Sequence, residues 1–166
     1  MNAEKIIKLL KLKFHPKEGG YFSETYRSEE NILKKALPGR YSGKRPHSTA
    51  IYYLITKDTF SAMHKLKSDE VFHFYMGDPV EMLQLLPGGN GKKIIMGNNI
   101  GKGHVLQAVV KKNVWQGSRL KNGGKFALLG TTVAPGFEFE DYEHGDRDKL
   151  IKLYPRFRKE ILLLTK

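Results

Sequence analysis

The chain has 166 residues, 40% hydrophobic and 28% charged, with no cysteine. That length suits one domain with a substantial core, and the lack of thiols excludes disulfides and thiolate metal sites. The net charge of +12 comes mostly from scattered lysines, single or paired as in Lys34-Lys35 and Lys111-Lys112; without an arginine stripe interleaved with aromatics, it predicts a solvated basic surface, with a field that attracts small anions as a second possibility and a nucleic-acid-binding module as the less favoured one.

In chain order, Ile6, Ile7, Leu9 and Leu10 have the spacing of a short amphipathic helix over residues 3–12, which Asn2 can cap. Lys5, Lys8, Lys11 and Lys13 interrupt its apolar character, which argues against a secretory leader. No run reaches the length of a membrane span, so a cytoplasmic protein is the simplest expectation. His15-Pro16 ends the helix and Gly19-Gly20 predicts a turn. Tyr21–Ser28 alternates aromatic and polar residues as a strand does, and 29–45 reads as an irregular connection.

Strand-like runs then recur over 49–56, 59–65, 71–76, 80–86, 93–96, 105–110, 114–118 and 126–133, separated by Gly-, Asp-, Asn- and Pro-rich turns. The tail from Asp146 is helical in period and is broken by Pro155. Gly101-Lys-Gly103 lacks the third glycine and the strand–turn–helix setting of a dinucleotide fingerprint. The pattern predicts an all-β sandwich or barrel over 20–140, a helix within 1–13 and helices over 146–165, all in a single domain spanning 1–166.

The most informative stretch is Ser61-Ala-Met-His-Lys-Leu-Lys-Ser-Asp-Glu-Val-Phe-His-Phe-Tyr-Met-Gly77. It places His64 and Glu70 on either side of the polar turn Lys67-Ser68-Asp69, so the two can meet at the mouth of a hairpin. Such a pair can hold a metal or handle a proton.

The spacing of His64, Glu70 and Gly77 resembles the first motif of the cupin superfamily, with Asp58 standing where the motif has its first glycine and Leu66 replacing its second histidine. Lys111-Lys-Asn-Val-Trp-Gln116 is similar to the second motif, with Asn113 in the place of a glycine and Gln116 in that of a histidine. His15–Ser28, Thr49–Leu54, Ser68–Tyr75, Trp115-Gln116 and Val133–Phe139 occur in an order that resembles cupin family five, a group of small cupins known as a domain of unknown function. The resemblance runs from about Leu9 to Tyr154. It implies a cupin-type jelly-roll barrel, usually a homodimer, and supplies no reaction.

Alternation along a strand places Ala62 and Leu66 on the face of His64, puts Phe72 and Phe74 inward with Glu70, and turns His73 outward unless a bulge intervenes. A ligand site is therefore expected from His64, Glu70 and Gln116 with Tyr53, Phe72 and Phe74, and His73 as a further candidate. Trp115 is expected to pack in the core or an interface, with a ring-stacking wall as the alternative. The 18–27 block is expected to be a strand that packs against the body or crosses to a partner subunit, with Glu24 or Arg27 at a pocket rim as the alternative; Phe137 and Phe139 are expected in the core; and Asp141, Glu143 and His144, which could mimic a metal cluster, are expected to be solvated. Three chemistries remain open for the barrel interior: binding of a small polar, sugar-like or anionic molecule; a divalent-metal enzyme using His64, Glu70 and Gln116 as ligands; or metal-free epimerase-like acid–base chemistry with His64 and Glu70 and a tyrosine, Tyr53 or Tyr75.

Overall fold

The computed structural model describes Met1–Lys166. Period-two segments in the middle of the chain form two facing antiparallel sheets, as the turn-punctuated pattern predicts. The six-stranded sheet has the order β1 (Lys13–Phe14), β2 (Tyr21–Arg27), β5 (Thr49–Thr56), β12 (Phe126–Ala134), β7 (Asp69–Gly77), β10 (Gln107–Val110). The five-stranded sheet has the order β13 (Tyr142–His144), β6 (Ser61–Leu66), β11 (Trp115–Leu120), β8 (Val80–Leu86), β9 (Asn90–Met96). β3 (Asn31–Ile32) and β4 (Arg45–Pro46) make a separate two-stranded ribbon within and after the segment expected to be irregular.

Alternation sorts each strand's side chains between layers. Tyr53, Phe72, Phe74, Met82, Leu120 and Leu129 point between the sheets and share one core. Their neighbours point outward. Leu54 and Leu128 are covered by Ile6 and Leu12 from α1 (Ala3–Leu9) and its following turn. Met63, Leu83 and Leu85 are covered by Leu150 and Tyr154 of the α2 (Arg147–Leu153) region and by Ile161 and Leu164 of the α3 (Arg158–Leu163) region. The terminal helices therefore exist to cap apolar outer faces that a bare jelly roll would leave wet. Asn2 caps α1 by accepting from the Lys5 backbone N–H at 3.0 Å. Asp146 caps α2 by accepting from that of Lys149 at 2.9 Å.

Two turns show why particular residues stand where they do. Gly77 sits at φ +104°, where a Cβ would also run into the Phe126 carbonyl. Asn113, in the place of a motif glycine, has φ 63°, a left-handed conformation that asparagine tolerates better than most side chains. No helix is long and apolar enough to cross a membrane.

Candidate functional site

The hairpin β6–β7 and strand β11 bring His64, Glu70 and Gln116 together. Gln116 lies opposite His64 in the β11–β6 register, and all three side chains are buried. The His64 imidazole is anchored through Nδ1 to the carbonyl of Ala62 at 2.7 Å. A carbonyl only accepts, so Nδ1 carries the proton and neutral His64 presents a lone pair at Nε2. Gln116 Nε2 donates to it at 2.7 Å and gives its other N–H to Glu70 Oε2 at 3.3 Å. Gln116 Oε1 is buried without a partner.

The mouth of the barrel adds residues that the motif does not contain. A cleft of about 90 Å³, open on one side, is lined by His15, Glu18, His64, Leu66, Glu70 and Tyr142 among others. Glu18 Oε2 lies 3.8 Å from His64 Nε2, and Ser61 donates to its other carboxylate oxygen at 2.6 Å. His15 Nδ1 accepts from the Glu18 backbone N–H at 2.9 Å, which leaves its proton on Nε2. Burial, opposed by the Glu18 charge, lowers the His15 pKa and favours this neutral donor. The Tyr142 ring stacks on that of His64, centroids 5.1 Å apart. Its hydroxyl is pushed above the usual phenol range by burial and by Glu18.

Glu70 is the most perturbed carboxyl of the cleft. Burial, reinforced by the neighbouring Glu18 charge, pushes it up to about 7 against the opposing pull of His64, Thr131 and Gln116. A group that is half protonated at neutral pH in a cleft is suited to both accepting and donating a proton.

The structure separates other expected site residues from this cluster. Tyr53, Phe72 and Phe74 lie one step deeper, in the core between the sheets, and do not line the cleft. The Tyr53 hydroxyl is engaged with the carbonyl of Gly19 at 2.7 Å. His73 faces outward, as regular alternation predicts, between Thr132 Oγ1 at 3.2 Å and Gln107 Nε2 at 3.0 Å. Tyr75, half exposed, stacks on His73 outside the barrel. Neither candidate tyrosine reaches the cleft; Tyr142 does. Trp115 packs beside the C-terminal helices and carries Lys65 Nζ 4.5 Å above its ring.

Glu24 and Arg27 stand in the cleft wall. Arg27 binds Glu24 at 2.9 Å and Glu138 at 2.8 Å, tying β2 to the loop after β12. That loop carries Phe137 and Phe139 to the cleft rather than into the core, with Phe139 62% exposed. Asp141, expected to be solvated, is instead buried against Arg45 at 2.6 Å. The reason is β4, which brings a guanidinium to the segment just before Tyr142.

His15 and Glu18 escaped the sequence reading. The available signal was Gly19-Gly20, since both have positive φ, and a Cβ on Gly20 would lie 2.7 Å from the Tyr53 hydroxyl. The two glycines let the turn press onto the barrel end, which aims the preceding His and Glu inward.

Residues 4–145 match the family described as Cupin superfamily (DUF985). The chain belongs to this family. It is 31% identical to an uncharacterized protein of Saccharomyces cerevisiae, YML079W, over 76% of this chain and 67% of the yeast protein. The solved structure of protein SO0799 from Shewanella oneidensis superposes with a TM-score of 0.87 at 30% identity, covering 100% of this chain and 98% of that one. A hypothetical protein from Leishmania major gives 0.88 at 28% identity, with 99% of both chains covered. These neighbours establish the cupin jelly roll and carry no named activity.

The resemblance to metal-binding cupins raises the question of whether these residues fit a divalent cation. They do not. No group of three His, Asp or Glu side chains has the arrangement of a metal site. The Nε2 lone pair that would ligate accepts a hydrogen bond from Gln116, and Leu66 lies in the cleft where the motif has its second histidine. A metal held by one imidazole and one carboxylate falls short of the three protein ligands usual for catalytic sites.

Proposed function

We propose that this cupin binds a small, uncharged, polar ring compound of the sugar or polyol class at the barrel mouth, without a metal. The lining supports this reading: a neutral His15 donor, the acceptors Glu18 and Glu70, and ring faces from Phe22, Phe137 and Tyr142. A few fixed polar groups among aromatics suit such a ligand. Charge supports uncharged over anionic ligands. The protein is basic overall, yet the cleft walls contain Glu18, Glu24 and Glu70 against the single guanidinium of Arg27. Lys17 and Lys166 act on His15 from nearby and edge this acidic interior with positive charge.

Thermal shift tests the proposal, because a ligand specific to the native state raises the melting temperature by mass action. Neutral monosaccharides and cyclitols should raise it, and His64→Ala should abolish the rise. Stabilisation by sugar phosphates or free phosphate alone, or a shift that persists in His64→Ala, would defeat the reading.

The carboxyl of Glu70 supports a second step, acid–base chemistry on the bound ring. Its pKa of about 7 lets it exchange a proton at neutral pH, and Tyr142 supplies the nearby hydroxyl. If Glu70 acts as a base, turnover rises through about pH 7 and disappears in Glu70→Gln. A homodimer belongs to the same reading. β1 covers only Tyr21 and Phe22, so the remainder of β2 presents a free edge for a second copy.

A further inference from the structure

We infer that the carboxamide nitrogen of Gln116 takes the place of a divalent cation in this barrel: it bridges the imidazole and the carboxylate that a metal would otherwise hold together. The inference concerns how the site is held and does not depend on the identity of the ligand.

Hydrogen-bond polarity decides the arrangement. Ala62 O fixes the proton of neutral His64 on Nδ1. His64 Nε2 and the ionised Glu70 Oε2 are then both acceptors, and both face Gln116 Nε2, at 2.7 Å and 3.3 Å. A primary amide nitrogen has two hydrogens and can serve both. The reversed amide would aim Oε1 at a lone pair and at a carboxylate, placing acceptor against acceptor. The orientation is thus determined by its neighbours, even though it leaves Oε1 buried without a donor. Leaving a buried acceptor unpaired is costly. That cost marks the two N–H bonds as the purpose of the residue.

The two amide hydrogens present partial positive charge to two electron-pair donors, as a bound cation would. They also hold both groups in fixed positions and, against the burial that pushes Glu70 up to about 7, favour the ionised form of that carboxyl. Gln116 is therefore a positioning residue: it sets the tautomer presented by His64 and the orientation of Glu70. Leu66 completes the exchange by adding an apolar side chain to the cleft where a further ligand would need to be.

Replacing the amide by a metal-ligating side chain should restore a cation site. The test uses the full chain, purified without chelator and passed through gel filtration in Zn²⁺ or Mn²⁺, with metal content measured by mass spectrometry. The wild type should retain far less than about one ion per chain, whereas Gln116→His and Gln116→Glu should each gain at least ~100-fold in Zn²⁺ affinity and lose it again when His64→Ala is added. Melting curves identify any variant that fails to fold, and either folded variant suffices. A wild type that carries stoichiometric metal lost on His64→Ala would overturn the inference, as would a folded Gln116→His or Gln116→Glu that binds no more metal than the wild type. A second measurement needs no variant. Nitrogen shifts of the His64 ring should show the proton on Nδ1, and a proton on Nε2 in neutral His64 would refute the bridging geometry.

Discussion

The two ends of the barrel interior are built from the same strands and do opposite things. On β7, Glu70 opens into the cleft, while Phe72 and Phe74, two and four residues further along the same face, fill a dry core with Met82 and Leu129. On β6, His64 sits in the cleft and Met63 beside it packs under the C-terminal helices. One end is closed by apolar volume; the other contains buried groups that satisfy one another and a carboxyl kept half protonated. Chemistry in this fold is decided by position along a strand as much as by the face of the sheet. Perturbing the two ends should therefore give different signatures.

The largest effect belongs to the closed end. Phe72→Ala removes a fully buried ring and should cost about 3–5 kcal/mol, read as a lower denaturation midpoint. Residual ligand stabilisation should be unchanged where the variant is still folded, because the ring does not touch the cleft. Loss of binding in a folded Phe72→Ala protein would show that the two ends are not separable.

Asp141→Ala comes next. It removes the bidentate partner of Arg45, which is 1% exposed, but leaves the ion pair with Glu140 at 2.6 Å, so the loss should fall below about 3–5 kcal/mol, the cost of a fully broken buried pair. Unlike Phe72→Ala, it should also weaken ligand binding, since it loosens the segment that sets Tyr142 against His64. Equal affinity in this variant would mean that Tyr142 is held by its own packing.

At the open end, Glu70→Gln should stabilise rather than destabilise. The folded protein holds this proton more tightly than the unfolded chain does, with the pKa raised from 4.5 to about 7. Stability from this group is therefore complete below about pH 4.5 and falls as pH rises to about 7. The gain on substitution should be near zero in acid and approach about 3 kcal/mol at pH 8, measured by chemical denaturation across that range. A variant less stable at pH 8 than the wild type would show that the ionised carboxylate is well compensated by Gln116.

The sequence made much of the closed end legible and only part of the open one. The limits of β5 and β8 follow from alternation and flanking turns alone, and the pairing of His64 with Gln116 follows from motif spacing. His15 and Glu18 were hidden because their direction depends on a glycine turn seated against Phe60 and Tyr53, residues distant in sequence. β1, β3, β4 and β13 are too short to show a period, so the Arg45–Asp141 pair and Tyr142 could not be placed by pattern. The phenylalanines of 135–139 read as core because apolar side chains usually are; a binding rim is where that rule gives way.

Arg27→Ala should have the smallest effect on stability and the most selective effect on the cleft. Arg27 and its partners Glu24 and Glu138 are each about 40% exposed as side chains, and solvent-exposed pairs contribute only about 0–1 kcal/mol. The melting temperature should barely move. Yet the same guanidinium also donates to the carbonyl of Phe137 at 3.3 Å, and so fixes the loop that places Phe137 and Phe139 over the opening. Releasing it frees the aromatic wall without touching His15, Glu18, His64 or Glu70. Ligand dissociation should accelerate several-fold while association changes little, because affinity changes within one site fall mostly on the off-rate. Lysine at the same position keeps the charge but loses the fork that spans two carboxylates and a carbonyl, so Arg27→Lys should recover only part of the residence time. Full recovery by lysine would show that charge, not the three-way clasp, holds the mouth in shape.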